Sequence, residues 1–405
     1  MPSPVVVTGI GLVTSIGQGR ESVWRNLLAG QSGISRVESF DPSRHAASLG
    51  GEIKGFSPDG FRRLDPRAIG RASQLAVVAA RLALADASLG EGSPGLPAAE
   101  RIGVAMGTTS GEPGQVETFD DLYLAGERDR IGPEIATLYP SHVIAAHIAA
   151  EFGFGGPLVM LPAACAAGNY AIGWSLDALR AGRADLMLAG GADAFSRITY
   201  TGFARLGAIA PELCQPFDRN RKGMVPGEGA AVLVLERLDS ALARGARIFA
   251  EVAGYGLSCD AHHMTAAHPE GDGAARAMRE ALRHAGEDAE AVDYVSAHGT
   301  GTPTNDKLET KAMKQVFGQR RVPTSSIKSM LGHTMGAASA IESGVCALAV
   351  AEDRVPPTIH FSEPDPECDL DCVPNVAREL PVRVAMNNAY AFGGNNASVI
   401  FRKVA

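Results

Sequence analysis

Strand-like and helix-like segments alternate along the whole chain, and this alternation limits the fold more tightly than any single motif. VVVTGIGLV is an unbroken apolar run into a Gly turn, as in a strand covered on both faces, and ESVWRNLLAG follows with helical spacing and a closing Gly. RASQLAVVAARLALADASL reads as a helix, RIGVAMGTT as a strand, SHVIAAHIAAEFGF as a helix, YAIGWSLDALRAG as a helix, and ADLMLAGGADA and GAAVLVLERL as strands. The second half repeats the style, with ARIFAEVAGYGL, VDYVSAHGTGT and ASVIFRK as strands and GAARAMREALRHAG and ASAIESGVCALAVAED as helices. The expected fold class is layered α/β. No tandem repeat or low-complexity linker separates the halves, so a shared sheet or core should join residues 1–245 to residues 246–405.

At 405 residues the chain exceeds one ordinary core, and 45% hydrophobic against 20% charged residues suits a folded globular protein. A net charge of −8 argues against general nucleic-acid binding, which depends on a basic face. No apolar stretch reaches a membrane span and no basic leader precedes the first strand, so a cytoplasmic location with no membrane partner is expected. The six cysteines are scattered, so free thiols are expected; CDLDC lacks a second ligand pair and is not expected to hold a metal. In GIGLVTSIG the third glycine falls too late for a dinucleotide fingerprint.

Cys165, in LPAACAAGNYAIG, precedes a helix, where free backbone N–H groups and the helix dipole favour a thiolate. A cysteine among alanines equally suits a small core position, and this segment alone does not separate the two readings. His298 in SAHGTGTPTND and His333 in SSIKSMLGHTMGAAS each stand among turn-forming residues rather than on an apolar helix face. Two such histidines beside a helix-start cysteine form a rarer set than any one of them.

AACAAG around Cys165, AHGTGTPTND around His298, KSMLGHTMGAA around Lys328 and His333, and NNAYAFGGNNAS around Phe392 resemble the signature segments of β-ketoacyl-acyl carrier protein synthases. The subtype resembled is the elongating synthase II type, close to the ketosynthases of type II polyketide systems. The resemblance runs nearly end to end. It implies the thiolase fold, two similar α/β halves in five α-β-α-β-α layers, and a decarboxylative Claisen condensation.

By that resemblance Cys165 carries the acyl chain, and His298 and His333 donate N–H bonds to the oxygen of the extender thioester as negative charge develops on it. The backbone amides of Cys165 and Phe392 hold the second oxyanion, and Phe392 gates the site. Lys328 and Glu342 form a buried ion pair beside the histidine. Thr300 and Thr302, with Thr265, contact the pantetheine arm, which arrives on an acyl carrier protein, so no metal and no resident cofactor are implied. Arg62, Arg63, Arg67 and Arg71 offer a basic docking surface for that acidic partner. The resemblance leaves open a homodimer or a heterodimer with a ketosynthase-like subunit, and fatty acid or polyketide synthesis.

Several positions depart from the family pattern. Ala391 replaces a glycine before Phe392, which is expected to restrict loop opening. Ala164 replaces a threonine, Asn395 another threonine, and Ser110 stands where a bulky apolar residue often lines the acyl pocket.

Overall fold

The computed structural model describes residues 3–404. The first half contributes β1 (Val5–Thr14), α1 (Arg71–Asp86), β2 (Ile102–Gly107), α2 (Val143–Phe152), β3 (Leu158–Leu161), α3 (Ala167–Arg180), β4 (Leu186–Asp193) and β5 (Gly229–Arg237). The second contributes β6 (Ala250–Cys259), α4 (Asp272–Ala285), β7 (Tyr294–Ser296), α5 (Pro303–Phe317), β8 (Thr324–Ser325), α6 (Gly336–Glu352), β9 (Val384–Tyr390) and β10 (Asn395–Arg402).

The two halves have one topology. The strand order is β3-β2-β4-β5-β1 in the first and β8-β7-β9-β10-β6 in the second. In each, the first three strands of that order are parallel and the remaining pairings antiparallel. The halves join edge to edge, because β1 pairs antiparallel with β6 through Val6 to Glu251 and Val7 to Ala250. The shared sheet expected from the sequence is therefore present, built on a duplicated topology that the sequence does not display as a repeat.

Helices α1 and α2 cover the outer face of the first half, and α4, backed by α5, covers that of the second. Between them lie α3 and α6, which touch each other and strands of both halves, completing the α-β-α-β-α layering of the thiolase fold. Position dictates composition here. In the middle layer, every residue of α6 from Gly336 to Val350 is buried, so this helix is built mainly of small and apolar side chains, with Glu342 its one charged residue in that stretch. The outer helix α4 instead buries one alanine-rich face and exposes arginines.

The early glycines serve packing. A Cβ at Gly11 would stand 1.9 Å from the Ala79 carbonyl oxygen, and one at Gly9 2.2 Å from that of Ala83, so GIG lets α1 lie directly on β1. At the centre, a Cβ at Gly168 in α3 would stand 2.5 Å from the backbone nitrogen of Ala340 in α6. Among the described residues no helix is long and apolar enough to cross a membrane.

Candidate active site

Cys165 lies in the short turn Ala164–Ala166 between β3 and α3, with its residue 8% exposed. Ala164 immediately before it adopts φ +47°, a left-handed conformation costly for a residue with a Cβ, and this bend sets Cys165 at the start of the central helix. His333 stands at the equivalent place in the second half, in the turn between β8 and α6, where Met335 also has positive φ. Its backbone is pinned on both sides, the N–H donating to Val225 and the carbonyl accepting from Gly227. His298 follows β7, and its N–H donates to Glu309 Oε1 at 2.8 Å.

These elements bring the three side chains together. His333 Nε2 lies 3.1 Å from Cys165 Sγ, and the candidate ligand atoms of Cys165, His298 and His333 all fall within 4.8 Å of one another. The two imidazoles meet edge to face, centroids 5.5 Å apart. His333 Nδ1 accepts the Met335 N–H at 3.2 Å, which fixes its proton on Nε2, directed at the sulfur. Burial, reinforced by the nearby Lys328 charge, holds both histidines well below their ordinary pKa, so each is a neutral donor near pH 7. A Cys-His-His set at this spacing also invites comparison with zinc sites. Ligation through His333 Nε2 would force its proton onto Nδ1, against the Met335 N–H, so the tautomer present suits hydrogen-bond donation rather than metal binding.

Burial pushes the Cys165 thiol up to about 12, with Lys328 acting in the opposite direction. The free thiol is therefore protonated at rest, in contrast to the thiolate that its helix-start position suggests from sequence. Lys328 Nζ donates to Glu342 Oε1 at 2.5 Å, both side chains being 1% exposed. Burial raises the Glu342 carboxyl to about 7 despite that partner.

Cys165, His298 and His333 line one cavity of about 360 Å³, together with Phe392, Thr265, Thr300 and Thr302. Phe392 is 41% exposed and its ring packs against Phe203, centroids 5.6 Å apart. Its turn carries Gly393 at φ +82°, and the Gly393 N–H donates to the Met264 carbonyl. Thr300 and Thr302 share a 2.9 Å hydroxyl contact, whereas Thr265 is exposed beside His263.

Residues 2–241 match the family model for the β-ketoacyl synthase N-terminal domain, and residues 249–362 that for the C-terminal domain. The chain belongs to the β-ketoacyl synthase family. It is 40% identical to the 3-oxoacyl-[acyl-carrier-protein] synthase 2 of a Synechocystis strain, covering 98% of both chains. Among solved structures it resembles the ishigamide ketosynthase/chain length factor, with a TM-score of 0.96 and 43% identity over all of both chains. A type II polyketide ketosynthase solved with its acyl-carrier protein matches with a TM-score of 0.90 and 32% identity over all of both chains.

Other predicted positions in this synthase lie elsewhere or act differently. Ser110 does not line the Cys165 cavity; its N–H donates to Asp193 Oδ1 and its hydroxyl faces Thr199, because the loop after β2 is tied down onto that buried acid. Arg71 is not available as a free docking charge: its guanidinium makes a two-pronged bond to the buried Glu228 carboxylate. Arg67 pairs with Asp65, and Arg62 and Arg63 approach Glu91 at 3.5 and 3.8 Å, all three arginines remaining exposed. Ala391 has φ −131°, extended backbone that any residue adopts, so its Cβ costs nothing in this state of the loop.

Two acids that shape the site were not singled out from the sequence. Asp193, at the end of β4, accepts from Thr108, Thr109, Ser110 and the Gly336 N–H that opens α6; burial raises it to about 6. Glu309, on α5, accepts the N–H groups of His298 and Gly299, and burial raises it to about 8. Their only sequence signal is an acid at an otherwise buried position, which becomes visible once the helix faces are known.

Proposed function

We propose that the chain is a cytoplasmic elongating β-ketoacyl-acyl carrier protein synthase, joining an acyl chain on Cys165 to a malonyl unit with loss of CO₂. The observation that carries this reading is the fixed His333 tautomer: a neutral Nε2–H aimed at a buried sulfur, with a second neutral imidazole alongside.

In the first step the Cys165 sulfur attacks the thioester of an acyl carrier protein, and the thiol proton leaves with the pantetheine sulfur. In the second, the malonyl thioester loses CO₂ and the released electron pair forms an enolate. Its oxygen accepts from His298 and His333, which act as preorganised neutral donors. The enolate carbon attacks the Cys165 thioester, the new carbon–carbon bond forms, and the departing Cys165 thiolate takes up a proton. Backbone N–H groups of Cys165 and Phe392 serve the carbonyl oxygen of the acyl-cysteine. Thr300, Thr302 and Thr265 contact the pantetheine arm along the cavity, and Arg62, Arg63 and Arg67 remain to attract an acidic carrier. No metal and no resident cofactor take part.

Intact-protein mass measurement with acyl and malonyl carrier proteins tests this reading. An acyl adduct absent in Cys165→Ala, followed by a product two carbons longer, is expected; no adduct with any acyl carrier refutes it. A second reading, in which the chain works only beside a ketosynthase-like subunit, is favoured by its likeness to a ketosynthase/chain length factor. Condensation by this chain alone, without a second subunit type, rejects that reading.

A further inference from the structure

Tyr390 closes β9 directly before the Phe392 turn and lines the same cavity as Cys165. Its ring stands edge-on to His298, centroids 5.8 Å apart. The residue is only 8% exposed, and its hydroxyl is buried with no hydrogen-bond partner. An unpaired buried hydroxyl costs stability, and a phenylalanine would fill the same space without that cost. Because Tyr390 lines the cavity, a group bound there can supply the partner. Burial, together with the nearby Glu309 and Asp260, holds the phenol well above its ordinary pKa, so it acts only as a neutral O–H. As a neutral O–H it carries no charge to repel an anionic acceptor, to which it can donate.

In the condensation proposed above, on which this inference rests, the thioester oxygen of the extender is taken by His298 and His333. The extender's other oxygens belong to its free carboxylate. We propose that the Tyr390 hydroxyl donates a hydrogen bond to this carboxylate and selects malonyl-type extenders over acyl groups that lack it. The carboxylate loses its charge as CO₂ departs, so the bond is stronger in the bound ground state than in the transition state. Tyr390 is thus a binding contact and not an accelerating one.

The test compares wild type with Tyr390→Phe. A bond to a charged acceptor predicts a KM for malonyl carrier protein raised about tenfold or more, with kcat unchanged or higher. Acyl loading of Cys165 and affinity for acetyl carrier protein, which lacks the carboxylate, stay as in wild type. The Tm stays level or rises. A KM within about twofold of wild type overturns the proposal. So does a fall in kcat at constant KM, which would place the phenol on the enolate, or a lowered Tm, which would mean the hydroxyl is paired in the free protein. A wild type that never loads Cys165 overturns the condensing reading as well; one that loads and extends beside a variant of unchanged KM overturns this proposal alone.

Discussion

Replacing Lys328 by methionine removes the one donor to Glu342 Oε1, and Glu342 Oε2 has no partner of its own. Both side chains are buried, so the stranded carboxylate has no water to turn to and binds a proton instead. Its pKa is already raised by burial from 4.5 to about 7 with the ammonium present, and without it the folded group is neutral at pH 7. Protonating a carboxyl whose unfolded pKa is 4.5 costs about 3 kcal/mol at pH 7, but the wild type, with its carboxyl already at about 7, carries nearly all of that cost, so the variant's own deficit is that of breaking a buried pair, about 3–5 kcal/mol. A folded pKa above the unfolded one stabilises fully below 4.5 and is lost as pH rises; wild type and variant share this slope, so the variant's deficit should change by less than about 1 kcal/mol between pH 7 and pH 5. Urea unfolding followed by the fluorescence of Trp24 and Trp174 reads both numbers. Lys328→Met/Glu342→Leu should return to within about 1 kcal/mol of wild type, because an apolar pair can replace a buried ion pair. Condensation should stay impaired in the double variant, since the charge that reinforces burial in keeping His298 and His333 neutral and opposes the rise of the Cys165 pKa is gone. A single-variant cost below about 1 kcal/mol, or a double variant whose losses add, would refute this reasoning.

Glu309 is raised to about 8 by burial, so it contributes stability that is complete below pH 4.5 and lost as pH climbs through 8; Glu309→Gln should flatten that decline, as thermal melts across pH 5–9 will show. Gly168→Ala places a Cβ 2.5 Å from the Ala340 nitrogen and should cost about 3 kcal/mol or more in urea unfolding, together with most of the activity. Arg62→Glu with Arg63→Glu should raise the KM for acyl carrier protein several-fold at low salt and leave the hydrolysis of small thioesters unchanged, as steady-state kinetics at two ionic strengths will read.

The reactive trio was legible in the sequence because catalysis places cysteine and histidine where packing does not, on turns at the ends of strands. The layered class was legible because strands covered on both faces must be apolar throughout, as VVVTGIGLV is. What escaped depends on contacts between distant segments. Glu309 sits in PTNDKLETKAMKQVF, which reads as a charged helix, and nothing local marks the one acid that turns inward to the His298 loop. The contacts of Ser110 and Arg71 escaped for the same reason, each being engaged by a buried acid more than 80 residues away, Asp193 and Glu228. The duplicated topology left no trace as a repeat because strand order and layer position are shared between the halves while the side chains are not.

The seam between the halves has a consequence for accuracy. Cys165 belongs to one half and both histidines to the other, so the 3.1 Å gap between Cys165 and His333 is a measurement taken across the joint. Each half can be intact and the gap still wrong. An error of about 1 Å at a reacting pair can cost about a hundredfold in rate, so the β1–β6 pairing and the close α3–α6 contact at Gly168 act as the instrument's calibration. Substitutions far from the cavity but on this joint should therefore behave as catalytic lesions, and equally severe ones on the outer helices should not.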